Sequence, residues 1–141
     1  MTSIVDKAIN AIQNLALEIQ PVNIKAAPDH PVESALILPI AITYIVSGTG
    51  QADNASTARL LLDIRTDIYL DYTNLSMAYR QVNGIIPDFL RRLAGDPTLD
   101  ATVETINFPV SVTVGASQFN TLPVIMISFT IPLKFMETPI T

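Results

Sequence analysis

Residues 57–99 change their hydrophobic period part-way along, and that change limits what the rest of the chain can fold into. From Thr57 to Asp71 the period is two. Leu60, Leu62, Ile64, Ile68 and Leu70 share one face, interrupted only by Thr66. Asp63, Arg65, Asp67 and Asp71 take the other face with Leu61 and Tyr69. Alternation of this kind predicts a strand with one dry side and one wet side. After Asp71 the spacing becomes helical, with Leu75, Ala78, Tyr79, Val82, Ile86, Phe89 and Leu93 on one stripe. Thr73 or Asn74 is the expected cap. Pro87 lacks an N–H and crowds the preceding turn, so the helix is expected to kink there or restart after Asn83-Gly84. Gly95 is the expected left-handed C-cap, with Pro97 blocking continuation.

The strand–helix block ends in LRRLAGDPTLDATV, residues 90–103, which opens a second pair of strands. With its pattern L..L..DPTL..TV, the block resembles the tail terminator proteins of long-tailed bacteriophages, the minor tail protein U-like family. The order of elements along almost the whole chain agrees with that family. The resemblance implies a structural virion protein at the head-proximal end of the tail, assembled in the host cytoplasm. It implies a homo-oligomeric ring, commonly a hexamer, that ends elongation of the tail tube. One ring face would meet the tube protein and the other the head-completion or connector protein.

Length and composition fit that picture. A chain of 141 residues is expected to be a single domain, residues 1–141, with a real core. Its apolar fraction is 49% and its charged fraction only 15%, against about a quarter charged in an ordinary globular domain. The apolar surplus predicts subunit interfaces. A net charge of −5 argues against a nucleic-acid gripper, because phosphate affinity comes from Lys and Arg. The absence of cysteine removes disulfides, thiolate metal sites and Cys nucleophiles. No secretory signal is visible, and the longest apolar run, residues 35–46, is too short to span a bilayer and contains Pro39. A soluble, non-exported protein without membrane contact is expected.

Before the central block, Ser3 and Asp6 mark a helix start whose stripe is Ile4, Ala8, Ile12, Leu15 and Ile19. Residues 21–33 read as an ordered crossing loop. Residues 34–47 read as a strand that is apolar on both sides: Leu36, Leu38, Ile40, Ile42, Tyr44 and Val46 on one, and Ala35, Ile37, Ala41 and Ile45 among those on the other. Pro39 pushes it towards a sheet edge or a bulge. Residues 48–56 (GTGQADNAS) read as a polar hairpin tip, idle or ordering on contact. The terminator resemblance favours a contact arm, with Gly48, Gly50, Gln51, Asp53 and Asn54 as its candidate residues. After the central block, residues 101–114 read as a third strand, Gly115-Ala116-Ser117 as a turn, and residues 121–136 as a fourth strand, with a frayed tail beyond. The expected fold is therefore α+β: a mostly antiparallel four-stranded sheet with two main helices packed against it, in the order helix, hairpin, helix, hairpin.

Sites for chemistry are scarce. His30 is the only histidine, so no His pair or triad can form, and an exposed loop position is the preferred reading. Asp63 and Asp67 share a strand face and could share a proton or a cation, but a solvated face of alternating charge is preferred. Arg91 and Arg92 suit the helix C-terminus, with a phosphate clamp the lesser reading. Neither a phosphate-binding loop nor a nucleophile elbow is present. No cofactor, metal or enzymatic activity is expected. The doubly apolar strands nominate Leu36, Leu38, Ile40, Ile42, Leu122, Val124 and Met126 as a subunit interface. Given the resemblance, Asp63, Arg65 and Asp67 are candidates for a lumen lining past which DNA moves without sticking. The alternatives are another phage neck or tail-completion ring protein or, from a different class, a hot-dog-like thioesterase. Asp88 would be the only helical carboxylate between Asn74 and Ala94 available to that enzyme.

Overall fold

The computed structural model describes residues 3–20, 22–30, 38–52, 57–71, 74–119 and 122–139. The elements are α1 (Ile4–Leu17), β1 (Ile40–Ala52), β2 (Thr57–Asp71), α2 (Leu75–Gly95), β3 (Thr105–Ile106), β4 (Ser111–Phe119) and β5 (Leu122–Pro139). The sheet runs β1-β2-β5-β3, with β4 also paired to β5, and every strand pair is antiparallel. The fold is α+β, with two helices and a sheet of five strands among the described residues rather than the expected four.

The extra strand has a local cause. Leu99, Asp100 and Ala101 have φ of 47°, 57° and 62°, a left-handed backbone that cannot belong to a strand. The expected strand over residues 101–114 therefore starts late, at Thr105, and a second interruption divides what remains. Only Thr105 and Ile106 pair before Pro109, which has no ladder donor, and pairing resumes at Ser111. The expected turn at Gly115-Ala116-Ser117 is instead the middle of β4. None of these residues has positive φ, and the rungs from Gly115–Met126 to Ser117–Val124 stay intact.

The glycine-rich run after Ser47 also belongs to a strand. β1 begins at Ile40, just after Pro39, and continues through Gly48 and Gly50 to Ala52. Val46 forms a bulge between the rungs of Ile45 and Ser47. At Gly48 a Cβ would lie 2.5 Å from Leu62 Cδ2 and 2.6 Å from the Leu61 carbonyl oxygen. Glycine is what lets β1 approach β2 there. The residues expected to strand earlier, 34–37, lie outside those described.

Both helices start as their sequences indicate. Ser3 Oγ accepts the Asp6 N–H at 3.0 Å, and Asn74 Oδ1 accepts the Met77 N–H at 3.0 Å. α2 is one helix despite Pro87. Asn83 and Pro87 are both exposed, so the carbonyl that loses its donor faces water. Gly95 is the last helical residue and is not left-handed; Asp96 caps the end. The buried stripe of α2 is Ala78, Val82, Ile85, Phe89 and Leu93, while Leu75 and Tyr79 face outward.

The two helices cover one sheet face. Ile12 of α1 and Ile85 and Phe89 of α2 meet Ile64, Ile68, Ile127, Phe129 and Ile131 in a single core. Phe89 and Phe129 pack edge to face with centroids 4.8 Å apart. Each such side chain contributes about 2 kcal/mol by burial. Among the described residues, no helix is long and apolar enough to cross a membrane.

Candidate functional site

The face of the sheet turned away from the helices carries the polar residues. β2 is an inner strand, so its outward side chains have neighbours on both sides. Asp67 sits opposite Ile42 on β1 and Ser128 on β5. Its carboxylate accepts the Tyr44 hydroxyl at 2.6 Å, the Ser128 hydroxyl at 2.6 Å and Arg65 Nε at 2.8 Å. Arg65 Nη2 donates to Ser128 Oγ at 3.0 Å, which closes the network across three strands. Asp67 is only 3% exposed. Burial first, then the bond to Asp67, pushes the Tyr44 phenol well above its usual range. Burial followed by the Asp67 charge also raises Tyr69. The bond to Asp67 raises Arg65 further.

The three residues nominated for a lumen are therefore not one solvated row. Asp63 is partly exposed and accepts the Ser47 hydroxyl at 3.0 Å. Arg65 is partly exposed, and Asp67 is buried beneath Tyr44 and Ser128. Periodicity puts all three on one side of the strand. It does not count the neighbours that close over the middle of it.

The nominated interface residues divide in the same way. Leu36 lies outside the described residues. Ile40, Ile42 and Val124 are buried within the chain, in a second small core with Ala26, Leu38, Tyr44 and Tyr69. Residues 25–28 lie along the β1 edge there: Lys25 N–H donates to the Pro39 carbonyl at 2.9 Å, Ala41 N–H to the Ala26 carbonyl at 3.0 Å and Thr43 N–H to the Pro28 carbonyl at 3.1 Å. Met126 is partly buried and Leu122 is exposed. Of the nominated arm, Gly48, Gly50 and Gln51 form exposed strand, while Asp53 and Asn54 lie outside the described residues. An open groove of about 530 Å³ beside this arm is lined in part by Gln51, Arg59, Leu61 and the ion pair of Lys134 with Glu104, 3.2 Å apart.

The helical carboxylate is engaged as well. Asp88 is buried and accepts Arg92 Nε at 3.0 Å, Arg91 Nη2, and the Gln20 backbone N–H at 3.2 Å. Burial alone would raise its pKa. The Arg92 bond, the Gln20 N–H and the two arginine charges outweigh burial and hold it below the usual carboxylate range. Arg92 also reaches Glu18 at 3.5 Å. Arg92 and Asp88, through Glu18 and the Gln20 N–H, thus tie α2 to the end of α1 and the segment after it, and Arg92 also stands in the last turn of α2, as expected of a dipole partner. His30 is exposed and bonds Asp29 at 2.9 Å. Among the described residues, no group of three His, Asp or Glu could hold a metal.

Sequence reasoning missed Tyr44, Ser128 and Gln20 as partners. The available signal was Ser128, a small polar residue inside an apolar run, opposite a strand that carries Asp67.

The hinge between α2 and the second half of the sheet uses most of its letters. Leu93, Leu99 and Val103 are buried. Asp96 Oδ1 accepts the Asp100 N–H at 3.0 Å. The Pro97 carbonyl accepts the Ile106 N–H at 2.7 Å. The Thr98 carbonyl accepts the N–H groups of Thr102 and Val103 at 3.0 and 3.1 Å. Thr102 Oγ1 donates to the Leu99 carbonyl at 2.7 Å. These bonds hold three left-handed residues and bury Leu99 at the turn. No family model matches the sequence, and no curated protein matches it.

Proposed function

We propose that the chain is a structural subunit of the tail-terminator type, which closes as a ring on the end of a phage tail tube, stops its growth and presents the surface that joins the head. The observation that carries this reading is the hinge. The run by which the sequence resembles the family, LRRLAGDPTLDATV, adopts one specific left-handed turn in which Asp96, Pro97, Thr98, Leu99 and Thr102 each make a defined bond or contact. A hexamer, contact with the tube protein on one face and the head connector on the other, and a place in the virion belong to the same reading.

In that ring the sheet face opposite the helices lines the lumen. Asp63 and Asp71 supply its solvent-facing acid groups, while the Asp67 charge is matched locally by Arg65. That face sets these acid groups beside Arg59, Arg65 and Lys134, and the net charge of −5 leaves the chain without a basic surplus to hold DNA. The reading is tested by adding the purified protein to growing tail tubes of its own phage and imaging the ends by electron microscopy. Arrested tubes with a ring at one end are expected. Tubes that elongate unchanged, with bare ends, would overturn it.

A further inference from the structure

The placement of charge in the sheet is the reverse of what protects an isolated domain. Sheet proteins guard their edges with Lys, Pro or other charges, because an open edge pairs with any strand it meets. Here the inner strand β2 carries Arg59, Asp63, Arg65, Asp67 and Asp71. The two outer runs carry none. Residues 44–52 of β1 read YIVSGTGQA, and β4 reads SVTVGASQF, without a single charge or proline. Residues 25–28 cover the β1 edge only as far as Thr43. Beyond Thr43, and along all of β4, the outer side has no strand partner among the described residues. Ile45 and Val46 on one run and Val114 on the other are each more than 40% exposed.

We propose that these two edges are made for each other: β4 of one copy adds to residues 44–52 of the next, and the sheet continues through the assembly. This deepens the ring reading and rests on it for the closed form. Strand direction permits the junction. With β1, β2, β5 and β4 alternating, the next β1 arrives antiparallel to β4. The contact joins two different edges, so it is heterologous and closes by rotation. Register also favours closure over a flat ribbon. One row of the sheet runs Tyr44–Arg65–Thr130–Ser111. The open part of β1 extends from that row in one direction and β4 in the other. A neighbour must therefore shift along the strands before the edges align, and a stagger of this kind is what a sheet needs to close into a barrel.

The test uses two variants of the whole chain, one per edge. Thr49→Lys with Gln51→Lys charges the β1 edge, and Ser111→Lys with Thr113→Lys charges the β4 edge. All four positions are exposed, and circular dichroism and melting should match the wild type. By sedimentation, the wild type forms rings, and each variant alone stays monomeric to at least about tenfold higher concentration. An equal mixture of the two variants gives dimers and nothing larger, because each partner keeps one open edge. Hydrogen exchange on the wild type slows at residues 44–52 and 111–119 on assembly. Rings formed by both variants, or protection elsewhere, would overturn the edge pairing while leaving the ring function standing. Dimers of one variant alone would mean a symmetric contact and would also overturn it. A wild type that is monomeric at every concentration overturns self-pairing, and tube capping then decides the function separately.

Discussion

Among the described residues two aspartates are buried, and they are held by opposite kinds of partner. Asp67 on β2 is enclosed by side chains from three strands: Tyr44, Arg65 and Ser128. Asp88 on α2 is gripped by two arginines one turn along its own helix and by the backbone N–H of Gln20, in the segment that follows α1. The sheet aspartate has mostly neutral donors that cannot leave without breaking the ladder. The helix aspartate has long cationic partners, one of them 76% exposed, that can swing into water. A polar group fixed by rigid strands specifies register. A polar group fixed by flexible arginines fastens one segment to another and yields more easily.

The sharpest way to break that contrast is Asp67→Ala. It leaves the Tyr44 and Ser128 hydroxyls and Arg65 without their common acceptor in a site that water reaches poorly. Removing one member of a buried charged network costs about 3–5 kcal/mol. Arg65 is partly exposed, which places the expected loss near the low end, about 3 kcal/mol, or about 10 °C in melting temperature. Asp67→Asn should lose less, since the amide oxygen still accepts one hydroxyl. Chemical denaturation of the three proteins measures this. A loss under about 1 kcal/mol for the alanine variant would mean that the strands hold their register without the network.

Asp88→Ala should cost less, about 2 kcal/mol, because Arg91 and Arg92 can be resolvated. Its distinctive effect is local: the Gln20 amide should exchange faster, while amides in β2 and β5 do not. The same carboxylate sets an acid limb. Its folded pKa lies below the ordinary 3.8, so its stabilisation is complete above that value and is lost as pH falls through the folded pKa. Asp88→Asn should flatten the decline of stability in strong acid. An unchanged acid limb together with a protected Gln20 amide would show that the helices are fastened by packing alone.

Both aspartates were visible in the sequence, and for neither did it indicate a buried, bonded carboxylate. The period of β2 placed Asp67 on a wet face, because periodicity reports which side a residue takes and not what closes over it. The partners lie 23 and 61 positions away, at a distance that no local pattern spans. Asp88 stood out as a helical carboxylate, and its arginines three and four residues on were in plain view, yet the Gln20 contact comes from another element. The two helices, their N-caps and the strand character of β2 and β5 were legible, since spacing and N-capping are local. The split of β3 from β4 was not. Pro109 was in view but read as one more alternating position, and the late start at Thr105 depends on three non-glycine residues held left-handed by the hinge's hydrogen bonds, against their intrinsic preference.

The smallest expected effect isolates one bond of the sheet network. Tyr44→Phe removes the hydroxyl that Asp67 Oδ2 accepts at 2.6 Å and keeps the ring that packs beside Ile40, Ile42 and Val124. One lost hydrogen bond to a charged acceptor costs about 1.5–3 kcal/mol, and Asp67 keeps two other donors, so the low end, about 1.5 kcal/mol, is expected at neutral pH. The pH dependence gives the sign. The folded phenol titrates above its ordinary 10.0. The neutral phenol is the form the fold favours, so its contribution is complete below pH 10.0 and is lost as pH rises through the folded pKa. The wild type should therefore lose stability in strong alkali more steeply than Tyr44→Phe, with Tyr69 keeping a residual slope in both. Denaturation midpoints measured on either side of that value decide the matter. Parallel alkaline limbs would mean that Tyr44 ionises without cost, and the sheet aspartate would then be no more rigidly held than its helical counterpart.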